Sequence, residues 1–110
     1  MNEKIKNIAH ESIMNFAEQV NYLPGQVVSK TLSQNEDHSL TLFAFDKGEE
    51  ISTHASEGDA LVIALDGKGK VTIAGEAYML LAGESIVMPA TKPHAIYAEE
   101  PFKMFLVVIF

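Results

Sequence analysis

His54 and His94 are the residues of this sequence best equipped for chemistry. Each lies in a stretch, Gly48 to Ala60 and Gly83 to His94, where glycines, a proline and short apolar runs let a ring nitrogen face an enclosed interior. Imidazole nitrogen binds divalent metals and moves protons near neutral pH. In an extended strand residues two apart share a face, so His54 and Ser56 point one way while Thr53 and Ala55 point the other. Pro93 holds the approach to His94 extended, because its ring fixes one backbone angle and removes a donor. If both segments line one cavity, the two imidazoles meet.

The other side chains that a metal site needs are sparse around them. The Ser56 hydroxyl is neutral at physiological pH and a poor ligand. Asp59 and Glu57 are the nearest carboxylates, but an odd offset turns a strand side chain to the opposite face. A β-bulge near Gly58 would bring Asp59 inward. His54, His94 and Asp59 would then form the two-histidine, one-carboxylate set that suits non-haem iron. Without the bulge, Asp59 caps a turn or bonds backbone amides. Met88, just before Pro89, is a further cavity-lining candidate, and Phe43 and Tyr97 are apolar ones, while Met79 and Met104 read as core filler. His10 and His38 read as solvent-facing.

A metal here must use His, carboxylate, hydroxyl or water, because the 110-residue chain has no cysteine. That absence also removes disulfides and thiolate nucleophiles. Ser56 has no orienting acid or oxyanion-hole motif beside it, which argues against a hydrolase. The formal charge of -7, from 15 acidic and 8 basic residues, argues against nucleic acid as a partner. The chain is 47% hydrophobic but has no run of about 18 apolar residues, so no membrane span is expected. Its charged N-terminus lacks the apolar core of a signal peptide, so a cytoplasmic location is expected.

The elements that must position the histidines follow from periodicity. Residues 1–24 read as an N-terminal segment with one short amphipathic helix, its face made by Ile13, Phe16, Ala17 and Val20 and its start capped by Ser12 or Asn15. Residues 25–110 read as about eight strands: 26–32, 40–45, 60–65, 71–73, 78–81, 85–88, 95–98 and 103–110. Polar residues 33–37, Asp66 to Gly69 and Ala74 to Glu76 are read as turns, Asp66-Gly67 being a strong hairpin signal. So many strands in so short a chain imply an all-β sandwich or barrel. The run Met104 to Phe110 is apolar at every position, so both its faces need cover. One packs the barrel, and the other needs the helix or a second copy, which makes a homodimer an expectation.

The framing residues resemble the cupin superfamily, in particular small single-domain bacterial cupins of the conserved-barrel type, over nearly everything after residue 40. Their first motif is Gly, five residues, His-x-His, three or four residues, Glu, six residues, Gly; Gly48, His54 and Gly67 match it. Ser56 stands at the second His and Ala60 at the Glu. Their second motif is Gly, five residues, Pro-x-Gly, two residues, His, three residues, Asn; Gly83, Pro89 and His94 match it. Thr91 stands at its Gly and Ala98 at its Asn. The resemblance implies a double-stranded β-helix, a jelly-roll-like barrel with its site inside. In metal-binding members it implies three His and one Glu around iron, manganese, zinc or nickel, of which only His54 and His94 transfer. The expected metal is therefore weakly bound or absent. The leading expectation is a barrel binding a small molecule through His54, Ser56, Asp59, Met88 and His94. The alternatives are a metal-dependent enzyme of the dioxygenase or isomerase type using His54 and His94, and a homodimeric interaction module.

Overall fold

A computed structural model describes residues 3–110. It is all-β. The strands are β1 (Val27–Gln34), β2 (His38–Phe45), β3 (Glu50–His54), β4 (Asp59–Ile73), β5 (Glu76–Leu81), β6 (Ser85–Met88) and β7 (His94–Ile109). No helix among the described residues is long and apolar enough to cross a membrane.

Two long antiparallel strands, β4 and β7, run through the whole fold and pair with each other. Their outer neighbours change half-way along. The first half of β4 pairs with β6 and its second half with β5. The second half of β7 pairs with β2, which carries β1, and its first half pairs with β3. The sheet thereby closes over itself, and one apolar core, including Phe45, Val62, Val71, Ile96, Phe102 and Met104, fills the space between the two halves.

The change of neighbours occurs where the sequence pattern suggests a turn. Asp66 to Gly69 is not a hairpin but the middle of β4, with register shifts between Ala64 and Asp66 and between Gly67 and Gly69. Gly67 has φ of +76°, and a methyl there would lie 1.6 Å from the Pro101 carbonyl oxygen; at Gly69 it would meet the Phe102 ring at 2.7 Å. These glycines let β7 approach and let the paired strands bend, as bulges do. Pro101 likewise lies within β7, joining what read as two strands. The turn at Ala74 and Gly75 is where it was expected, with both residues at positive φ, the geometry of a tight two-residue hairpin.

The N-terminal helix is corrected. Among residues 3–26 the structure has one 3-10 turn, Phe16–Glu18, capped by Asn15, whose side chain accepts from the Ala17 amide at 3.0 Å. Tertiary contacts override helical spacing: the Ala17 carbonyl accepts from Lys103 Nζ at 2.5 Å, and the Phe16 ring packs 5.0 Å from Phe105. Tyr22 donates to Asp66 at 2.5 Å. Phe16 and Val20 cover Leu42, Ala44 and Phe105 on the outside of the sheet, whereas Ile13 is fully exposed. Met79 is also corrected, from core to a half-exposed position on β5.

Replacing Gly67 by Ala is expected to destabilise the fold by about 3 kcal/mol, since it combines a left-handed backbone with a backbone clash. Gly75, also left-handed but with open space around it, should lose only about 1 kcal/mol on the same change. Urea unfolding of the two variants measures the difference.

Candidate functional site

His54 and His94 meet because they are cross-strand partners, His54 at the end of β3 and His94 at the start of β7. Directly opposed residues of an antiparallel pair present their side chains on one face. The ring centroids are 4.4 Å apart at 73°, and the two Nε2 atoms are 3.2 Å apart. His94 is buried and His54 exposed, so the pair lies at the rim of the interior.

Their other nitrogens are committed. His54 Nδ1 lies 2.9 Å from the Ser52 carbonyl oxygen, and His94 Nδ1 lies 3.1 Å from that of Lys92. A carbonyl oxygen only accepts, so the tautomer that satisfies both carbonyls carries its proton on each Nδ1. In the neutral pair both Nε2 atoms are therefore lone-pair acceptors, facing each other. Two lone pairs 3.2 Å apart repel each other, and a donor or a cation bound beside both relieves that repulsion.

The pair opens on a cavity of about 380 Å³. One continuous row of cross-strand partners crosses its far wall: Gln34, Ser39, Val108, Ala60 and Met88, on β1, β2, β7, β4 and β6. Phe43, Ile51, Ala55, Ile96, Leu106 and Phe110 supply the rest of the apolar lining, with Ser56 beside His54. Ala55, expected on the opposite face, lines it too because β3 ends at His54. A larger cleft of about 600 Å³ lies outside the barrel between the N-terminal segment and β1, lined by residues such as Glu3, Lys4 and Asn35. It contains neither imidazole, and we place no chemistry there.

Four of the five expected site residues, His54, Ser56, Met88 and His94, line the cavity, and Asp59 does not. The bulge that would turn Asp59 inward is absent. Its exposed carboxylate accepts from the Ala90 amide at 2.7 Å, tying the start of β4 to the loop before His94. Ser56 Oγ accepts from the Gly58 amide at 3.1 Å and keeps its own proton to donate. Phe43 lines the cavity, whereas Tyr97 carries Lys70 Nζ 5.3 Å above its ring instead. Gln34 and Ser39 were missed, because only the register of β1 and β2 brings them opposite the histidines. Thr91, in the place of a motif glycine, keeps the left-handed backbone, with φ of +69°, and its amide donates to the Ser56 carbonyl at 2.7 Å.

The residues present do not fit a four-ligand metal site. Among the described residues no group of three or more His, Cys, Asp or Glu could hold a metal ion. The two Nε2 atoms are close enough to share an ion, but no carboxylate joins them and Ala60 supplies no ligand atom.

The sequence profile of the Cupin domain family matches residues 41–110. The chain belongs to the cupin family. Its structure superposes on a conserved protein of unknown function from Streptococcus pyogenes with a TM-score of 0.96, at 44% identity over 98% of this chain and 95% of that one. A cupin superfamily protein from Desulfitobacterium hafniense is similar at 29% identity, covering 98% of this chain and 99% of that one, with a TM-score of 0.93. An RmlC-like cupin from Desulfovibrio desulfuricans shares the fold at 23% identity, with a TM-score of 0.77 over 91% of this chain and 97% of that one. No curated protein matches the sequence.

Burial of His94, and next the charge on neighbouring His54, push its pKa below the usual imidazole value, against the raising effect of the Lys92 carbonyl. On acidification the unfolded cupin chain therefore takes up this proton before the folded one. The resulting stability is fully present above about pH 6.5 and is lost as pH falls from there towards the folded-state pKa. Thermal melts across this window should show the decline in the native cupin and a shallower slope in a His94→Asn variant.

Proposed function

We propose that this cupin binds a small molecule inside its barrel, with His54 and His94 as the polar anchor. The observation that carries the reading is the cavity's composition: its lining includes no Asp, Glu, Lys or Arg. The volume of about 380 Å³ falls at the small end of ligand pockets, and an apolar wall with a few convergent polar groups is their usual make-up. Ligand contact with Met88, Val108 and Leu106 supplies hydrophobic affinity, and the imidazoles, Ser56, Ser39 and Gln34 fix orientation.

The test has two parts. Filling the cavity by Ala60→Phe is expected to abolish the ligand-dependent rise in melting temperature that a library of small neutral compounds gives the native protein. Untagged protein purified without chelator is expected to carry far less than one equivalent of transition metal, because two imidazoles without an anionic ligand bind divalent ions with modest affinity. Stoichiometric metal, lost in a His54→Ala variant, would instead favour a metal-dependent enzyme.

We also propose that a second copy of the chain covers the outside of the sheet beyond the N-terminal segment. Leu61, Val87 and Val107 align there as cross-strand neighbours, and Val87 is half-exposed. An uncharged apolar strip suits a twofold contact with itself. Sedimentation should give a dimer for the native chain and a monomer for Val87→Glu.

A further inference from the structure

The small-molecule reading leaves the class of ligand open, and the hydrogen bonding of the two imidazoles narrows it. We infer that the cavity takes an uncharged hydroxyl compound with an apolar body, an alcohol or a phenol, whose O–H donates to the facing Nε2 lone pairs of His54 and His94. This rests on the binding function proposed above and adds the chemistry of the ligand.

The argument begins with the proton inventory. Because both Nδ1–H groups donate to main-chain carbonyls, of Ser52 and Lys92, neither neutral ring can turn a donor towards the cavity without giving up that bond. The Nε2 atoms, 3.2 Å apart, present two acceptors side by side. Against them a ligand oxygen that carries a proton forms a hydrogen bond, and one that carries only lone pairs is repelled.

Charge points the same way. A carboxylate or phosphate in this cavity would face two lone pairs with no lysine or arginine among the lining residues, and the chain as a whole carries a formal charge of -7. Desolvating an anion without a counter-charge is costly. An ammonium ligand would satisfy the lone pairs but would find no carboxylate, since Asp59 is turned out to the Ala90 amide. The neutral hydroxyl is the donor that leaves no charge unpaired. Ser56, whose oxygen already accepts from Gly58, can donate its own proton to the same ligand oxygen. The apolar residues Phe43, Leu106 and Val108 then enclose the ligand body.

Three probes of similar shape separate the possibilities: toluene, phenol and benzoate, titrated at a pH where both imidazoles are neutral, into protein freed of metal by chelator. Phenol is expected to bind about tenfold more tightly than toluene, the worth of one net hydrogen bond. Benzoate should bind more weakly than either. In protein labelled with ¹⁵N-histidine, phenol should shift the His54 or His94 Nε2 resonance, while toluene should not. With both acceptors removed, in a His54→Phe, His94→Phe variant, phenol and toluene should bind to within about twofold of each other.

Toluene matching phenol, or benzoate binding most tightly, would overturn the hydroxyl inference while leaving the small-molecule function standing. A phenol preference that survives the loss of both imidazoles, or the absence of any Nε2 shift in the native protein on binding phenol, would overturn it too. Failure of all three probes to bind would overturn the hydroxyl inference, and the small-molecule function then stands or falls on the compound-library melts.

Discussion

The pairing of β4 with β7 is the constraint on which the rest of this cupin depends. Two strands of this length cannot stay flat and also close a barrel of so few residues, so they bend together where Gly67 and Gly69 allow Pro101 and Phe102 to come close. On either side of the bend the same two strands belong to facing halves of the sheet. His94 begins β7 in one half, and Val108 and Ala60 lie near the far ends in the other. The bend therefore folds one end of β7 over the other and encloses the cavity between them.

Much of this was legible in the sequence, for a physical reason. Glycines and prolines report backbone needs that depend little on their neighbours, so the spacing of Gly48, His54 and Gly67, and of Gly83, Pro89 and His94, identified the barrel and both imidazoles. Alternation along strands also argued that Asp59 faces out. It placed Ala55 away from the cavity, yet Ala55 lines it beside His54 and Ser56, because β3 ends at His54 and the chain beyond it is no longer extended strand. The inward Asp59 required a bulge, and none is there.

What was not legible depends on partners distant in sequence. Asp-Gly serves equally for a tight hairpin and for a bulge under a neighbouring strand, and only the proximity of Pro101 distinguishes them. The Ile13, Phe16, Ala17 and Val20 spacing suits a helix, but Phe105 and Lys103 bind Phe16 and the Ala17 carbonyl in a different course. Gln34 and Ser39 enter the cavity through a register that includes a shift between Thr31 and Ser33. No local pattern announces that shift.

The bond from Asp59 to the Ala90 amide bears on how such a barrel could change its chemistry over time. Recruiting this carboxylate as a ligand would mean releasing the loop that leads into His94, so the same move that brought an anion in would loosen an imidazole already in place. Ala60, one residue later, faces the cavity and holds nothing. A carboxylate introduced at the inward alanine would face the imidazoles without disturbing that loop, which the acid beside it cannot do.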